Sequence, residues 1–313
     1  MYTSLLALAC NVFLNWVFMF GNLGVPAFGA VGCGMASAVT VWLTAIVLGG
    51  YISVAKVYRP LKIFAHFSPM RLPVLKELIA LGMPIAVTIT AEAGLFSAIS
   101  ILVGTRGVEI TAAHQISLNF AGTMFMIPLA FSAATTVRTS HALGSGNVAE
   151  ARMAGMTGIL MCAIFMTFSA TFLLLFRDIV VGIYTNDPQV MEIAISLLLM
   201  AAVFQVADGV QIGAAGALRG YKDTRIPMVI NTFSYWALGF PLAYLAAIVF
   251  QAPPSYIWGG FVLGLSVAAV LLTIRFERLS RTPDQVDRGR RLEGRLRFSL
   301  RPSRKWGHRR PVL

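Results

Sequence analysis

Charged side chains are scarce in this 313-residue chain. Asp, Glu, Lys and Arg make up 12% of it, while 57% is hydrophobic, against roughly 25% charged and 45–50% apolar in soluble domains. With a mean hydropathy of +0.76, its solvent is expected to be lipid. The three cysteines, Cys10, Cys33 and Cys162, lie in apolar stretches at unrelated spacings, which supports neither a disulfide framework nor a metal site. A Gly-x-x-x-x-Gly-Lys phosphate loop, a His-Glu-x-x-His pair and a Gly-x-Ser-x-Gly elbow are all missing. ATP hydrolysis, zinc hydrolysis and nucleophile-elbow chemistry therefore have no support. We expect no enzyme activity, no ATPase domain in this chain and no cofactor.

Long apolar runs are what the chain has instead. A bilayer core about 30 Å thick needs about 20 apolar helical residues, and eight stretches qualify: 1–20, 29–51, 78–104, 115–137, 155–176, 190–218, 228–250 and 256–274. Strand-like alternation is absent, and isolated spans must satisfy their own backbone hydrogen bonds, so the expected fold is all-α with eight transmembrane helices. The basic residues alternate from loop to loop. Lys56, Arg59, Lys62, Arg71 and Lys76 follow the second run, Arg106 alone the third, Arg138 and Arg152 the fourth, and Arg177 alone the fifth. Arg219, Lys222 and Arg225 follow the sixth, and residues 251–255 contain no base. Cytoplasmic loops carry the excess of Lys and Arg, which predicts both termini in the cytoplasm.

The net charge of +12 is mostly a property of one end: from Arg275 onward there are 13 Lys or Arg against 4 Asp or Glu. An Arg-rich, aromatic-poor segment cannot bury a core. Residues 275–313 are thus expected to form a disordered cytoplasmic tail attracted to anionic lipid. No fold or stacking platform suggests nucleic-acid binding. The chain opens inside an apolar run with no basic residue before it, which reads as a membrane helix rather than a signal peptide.

The Pro-containing interval 56–77 separates two runs from six. Asn11, Phe13 and Trp16 share an N-x-F-x-x-W spacing with Asn231, Phe233 and Trp236, and each set precedes a Gly-rich run. Many transporters are built from duplicated halves. On that reading, residues 1–55 end one half, 56–77 form a cytoplasmic connecting loop and 78–274 form a complete second half. Four helices would then be missing from the front.

Two acids sit near the middle of apolar runs: Glu92 in 78–104 and Asp208 in 190–218. A carboxylate at the bilayer centre costs at least ~2.5–3.5 kcal/mol on insertion scales and faces a polar cavity, an ion path or a partner. Such a carboxyl attracts a cation when ionised and releases it when protonated. Two that share a cavity titrate as a pair.

The surroundings of these acids resemble a known family. The stretch Gly82-Met-Pro-Ile-Ala, Glu92 with Leu95 and Phe96, and Ala112-Ala-His-Gln-Ile-Ser-Leu-Asn-Phe are similar to the seventh and eighth helices of the multidrug and toxic compound extrusion (MATE) family. Ala214-Ala-Gly-Ala-Leu-Arg-Gly-Tyr-Lys-Asp-Thr resembles its tenth helix and following loop, and Asn11 to Trp16 with Gly29 to Gly34 its fifth and sixth. The resemblance runs to about Ile274. It implies helices five to twelve of a twelve-helix, two-lobed exporter in the bacterial inner membrane. It also implies antiport of cationic, amphipathic drugs against protons or sodium ions.

By the same resemblance, Glu92 and Asp208 fall on the cation- and drug-binding acids of the C-terminal lobe, and Asn11 and Asn15 on polar positions of the N-terminal lobe's cation site. The family's acid in the first helix has no counterpart here. Phe204 stands where some sodium-coupled relatives carry a tyrosine. Sodium needs several oxygen ligands, so protons are favoured over sodium at Glu92 and Asp208, and no other metal is expected.

Other residues keep two readings. Asn11 and Asn15, four apart on one face, either coordinate a cation or tie helices together. His114, near Glu109, makes a structural hydrogen bond or relays a proton. Met124, Phe125 and Met126 either pack against neighbours or join Phe204 in the wall of a pocket, since methionine repacks around varied shapes. Arg219 is read as complementing a helix C-terminus and lipid phosphate, and Gly216 with Gly220 as a close helix contact. The alternatives to an antiporter are a flippase for a lipid-linked molecule, favoured by basic cavity walls, and a non-transporting membrane fragment.

Overall fold

The computed structural model describes residues 2–55 and 72–281. Among them are eight helices long and apolar enough to cross a membrane: α1 (Tyr2–Phe20), α2 (Ala30–Val54), α3 (Leu72–Gly104), α4 (Val108–Gly144), α5 (Val148–Tyr184), α6 (Pro188–Gly220), α7 (Arg225–Val249) and α8 (Pro254–Arg281). The protein is a multi-pass membrane protein. Its chain divides into two compact units, Met1–Leu72 and Pro73–Leu313.

Several helices outrun their apolar cores. α4 and α5 have 37 residues each, about 55 Å at 1.5 Å per residue, whereas the hydrocarbon layer accounts for about 30 Å. Hydropathy locates the buried stretch, while the ends are fixed by caps outside it. Asn147 accepts the Glu150 N–H at the start of α5, and Asp187 the Gln189 N–H at the start of α6. Gly144, Ser145 and Gly146 form the turn between α4 and α5, with Gly146 at φ +87°.

Two sequence boundaries move. Residues 72–77, expected to end a loop, begin α3, and residues 56–71 lie outside the described residues. The last helix does not stop at Ile274 but runs to Arg281. Its charges, read as tail, are held in pairs: Arg275 with Asp223 at 2.8 Å, Arg152 with Glu277 at 2.8 Å, and Arg281 with Glu277. Glu277 and Arg281, one helical turn apart, support the helix directly, and the other two pairs tie it to Asp223 and to Arg152 of α5. The remainder, 282–313, lies outside the described residues.

In the first unit α1 packs on α2. In the second, α6 is central, packing on α4, α5 and α8. Its small residues allow this. A Cβ added to Gly216 would lie 2.6 Å from the Ser132 carbonyl oxygen, so only glycine lets α4 and α6 meet there. The gap is bridged by hydrogen bonds, Ser132 Oγ to Ile212 O at 2.7 Å and Thr136 Oγ1 to Gly216 O at 2.8 Å. The helix α7 widens into π-type turns at Ser234–Gly239 and Leu245–Val249. Arg106, the lone base of its loop, donates to the carbonyls of Ala247, Gln251 and Ala252 at the end of that helix.

Beyond the end of α6, Tyr221 stacks edge-on against Phe276 at 5.8 Å, and its hydroxyl is buried without a partner. Burial pushes this phenol above its ordinary value of 10.0, with the Arg152 guanidinium acting in the opposite direction. Above about pH 10 the unfolded chain gives up this proton while the folded chain keeps it. The contribution to stability is therefore constant below pH 10 and is lost as pH rises through the folded value. Thermal melts of wild type and Tyr221→Phe should coincide at neutral pH and diverge above pH 10, with the variant losing less.

Candidate functional site: an acidic cavity in the second unit

A cavity of about 570 Å³ opens between α3, α4 and α6. Each helix gives it one stripe at helical spacing. The α3 stripe is Ile89, Glu92, Ala93 and Phe96, that of α4 includes Leu118, Ala121, Gly122 and Phe125, and that of α6 is Phe204, Asp208, Ile212 and Arg219. The cavity thus joins Glu92 and Asp208, which are 116 positions apart in the chain, in one chamber that, Arg219 apart, is otherwise walled by aliphatic and phenyl groups.

Pro84 sits inside α3 two turns before Glu92. A proline removes one backbone donor and loosens the helix, and the Thr88 hydroxyl donates to the Pro84 carbonyl at 2.9 Å. The Trp236 indole of α7 donates to the Ala91 carbonyl at 3.2 Å. This contact fixes the turn that carries Glu92. Asp208 is 4% exposed, and its Oδ1 has no hydrogen-bond partner. The two acids interact electrostatically with each other, and Glu92 also with Arg219.

The floor of the chamber is aromatic. Phe96 stacks on Phe261 at 4.5 Å, and Phe204 meets Trp258 at 5.6 Å. Phe96, Phe125 and Phe204 present rings to the space beside the carboxyls, an arrangement that suits a cation with apolar substituents.

Beneath that floor lies His114, fully buried. The Trp258 indole N–H donates to Nδ1 at 3.0 Å, and Nε2 lies 2.9 Å from Ser100 Oγ, which donates to the Phe96 carbonyl at 2.8 Å. An indole nitrogen can only donate, so Nδ1 carries no proton and Nε2–H donates to Ser100. The side-chain polar atoms of Trp258, His114 and Ser100 are all satisfied in this hydrogen-bond relay, which binds α3, α4 and α8 together. The partners are thus Trp258 and Ser100 rather than Glu109, and His114 is not among the cavity-lining residues.

The other predicted residues divide. Phe125 and Phe204 line the cavity, whereas Met124 packs against the hydrophobic core and Met126 is 59% exposed. In the first unit Asn15 donates to the backbone and side-chain oxygens of Asn11 at 2.9 and 3.0 Å, and Asn11 donates to Thr40 Oγ1 at 3.3 Å. Asn15 Oδ1 is buried without a partner. Thr40 joins this cluster from α2, a participant that spacing within one helix could not reveal.

Arg219 needs correction: it lines the acidic cavity instead of reaching outward from the helix end. A side chain on a helix leans toward the N-terminus, so a long one near the C-terminus points back down α6 towards the acids. Sequence reading also missed a set of buried polar residues on α6 and α7. Gln205, Gln211, Asn231, Ser234 and Tyr235 are all essentially buried, and each has a side-chain atom without a protein partner. Tyr235 interacts electrostatically with both Glu92 and Asp208.

Fold and cavity define a multi-pass helical membrane protein with an internal acidic chamber. The MatE family matches residues 84–245, just over half of the chain, and the chain belongs to that family. A probable multidrug resistance protein NorM of Xanthomonas campestris pv. campestris is 42% identical over 268 residues, covering 86% of this chain and 58% of its own length. The multidrug resistance protein MdtK of Photorhabdus laumondii subsp. laumondii is 36% identical over 290 residues, covering 91% and 64%. The crystal structure of the eukaryotic MATE transporter AtDTX14 matches with a TM-score of 0.80 at 23% identity, covering 93% of this chain and 64% of that one. The chain spans about three-fifths of the length of these relatives.

Proposed function

We propose that this chain provides the cation-binding lobe of a secondary active multidrug exporter, which expels cationic, amphipathic compounds in exchange for protons. The observation that carries the reading is one chamber of about 570 Å³ holding Glu92 and Asp208 among phenyl and aliphatic walls. Ionised, the carboxyls attract a lipophilic cation that the rings then hold. Protonated, they release it. The Pro73–Leu313 unit is read as that lobe, and α1 and α2 as the last helices of a preceding one, with Asn11 and Asn15 at its cation site. The bacterial relatives support an inner-membrane location, and the loop charges support both termini on the cytoplasmic side.

Proton coupling is favoured over sodium because Phe204, one turn before Asp208, offers a ring to the cavity where a hydroxyl would have offered an oxygen. Exchange of one proton for one monovalent drug moves no net charge, so the pH gradient alone drives it at ~1.4 kcal/mol per unit. A second proton would add ~2.3 kcal/mol per 100 mV of membrane potential. A flippase for anionic lipid-linked cargo would be better served by basic walls. The lining here has two acids to one base.

Ethidium binding to the purified chain in lipid nanodiscs, followed by fluorescence, tests this reading. Acidification should release ethidium while added sodium at constant pH should not. Release by sodium alone would reassign the coupling ion, and failure to bind ethidium would remove the cation reading.

A further inference from the structure

The mechanism above uses two charges of the chamber, but its lining has three ionisable side chains among the described residues: Glu92, Asp208 and Arg219. The neighbouring bases are committed elsewhere. Arg152, Lys222 and Arg275 each have a carboxylate within 3.2 Å, and Asp223, which shares a small adjoining cavity with Arg219, is held by Arg275 at 2.8 Å. Arg219 instead shares the larger chamber and an electrostatic interaction with Glu92. A guanidinium stays charged in proteins, so its contribution does not change through a transport cycle.

The charge of the chamber therefore takes few values. With both carboxyls ionised it is minus one, and with one protonated it is zero. A bound monocation brings the fully ionised chamber to neutrality, whereas a dication leaves an excess positive charge among apolar walls. Unbalanced charge away from water is costly. Without Arg219 the same chamber would be at minus two and would balance a dication.

We propose that Arg219 sets the valence of the cargo, acting as a fixed internal counter-charge that makes the chamber select singly charged over doubly charged lipophilic cations. The inference rests on the cation-binding reading above and goes beyond it. Arg219 is a specificity-determining residue here, and Glu92 and Asp208 supply the attraction that it limits.

Ethidium and propidium share one fluorescent ring system and carry one and two positive charges, so their affinity ratio reports valence preference directly. Titrations of both dyes at alkaline pH would compare wild type, Arg219→Gln, Arg219→Lys and Glu92→Gln in nanodiscs. The expected result is a shift of the ratio toward propidium by on the order of tenfold in Arg219→Gln, with Arg219→Lys keeping the wild-type ratio because it keeps the charge. A ratio unmoved in Arg219→Gln, or moved equally in both variants, overturns the proposal while leaving cation binding intact. Ethidium binding that is absent in wild type, or indifferent to Glu92→Gln, overturns the cation reading itself and this inference with it.

Discussion

Replacing Glu92 with glutamine should lower ethidium affinity by roughly 100-fold, the largest effect of any single change in the chamber. Glutamine keeps the volume and one oxygen of the side chain, so the walls around it need not move. What disappears is one negative charge, which takes the fully ionised chamber from minus one to neutral. At an effective dielectric of about 20 and a separation of about 6 Å, a unit charge is worth about 3 kcal/mol, or roughly 100-fold. Asp208→Asn removes an equal charge, but it also leaves an amide in a pocket where Oδ1 already lacks a partner. Its effect should divide between affinity and stability. Thermal melts separate the two: Glu92→Gln should melt with wild type while its dye titration collapses. Undiminished binding in Glu92→Gln would mean that the cation sits elsewhere.

These two acids were legible because lipid makes a charge conspicuous. Glu92 and Asp208 stand out well inside long apolar runs, and no packing detail is needed to see that each requires a polar surrounding. The eight helices were legible for the same reason, since apolar length and loop charge are properties of the chain alone. Partnership was not legible. Arg219 read as an outward-facing helix end because its position said nothing about the direction of its side chain, and the chamber behind it is built by α3 and α4. His114 seemed to belong with Glu109, its neighbour in sequence, yet its partners come from Ser100 on α3 and Trp258 on α8. Nothing in the spacing of Gln205, Gln211 and Tyr235 marks them in the sequence. Each buries at least one side-chain polar atom without a partner, which only the assembled unit creates.

The internal echo gains physical content. In the first helix pair a Cβ on Gly32 would lie 2.3 Å from the Phe18 carbonyl oxygen, and in the last a Cβ on Gly260 would lie 2.5 Å from that of Gly239. Both Gly-rich helices therefore press against the backbone of the helix before them. The two N-x-F-x-x-W segments lie on those preceding helices. Asn11 donates across to Thr40, whereas Asn231 is wholly buried with both side-chain polar atoms unpartnered. Similar spacing has been put to different local use.

Gly216→Val should produce the largest loss of stability, and Gly122→Ala gives its control. Both glycines belong to the helices around the chamber. A Cβ at Gly122 meets nothing within 4 Å, whereas one at Gly216 meets Ser132 Oγ at 2.3 Å and the Ser132 carbonyl oxygen at 2.6 Å. The hydroxyl can rotate, but the carbonyl belongs to α4 and cannot yield without the helix. Separation of α4 from α6 would also stretch the bonds from Ser132 to Ile212 and from Thr136 to Gly216, each worth about 0.6 kcal/mol in a membrane. With an overpacking cost of about 1–3 kcal/mol, the melting temperature should fall by roughly 5–10 °C. Since Phe125 and Asp208 line the chamber from these two helices, dye affinity should fall with it. Gly122→Ala should melt as wild type does, and equal melting of the two variants would show that α4 and α6 are not held together at Gly216.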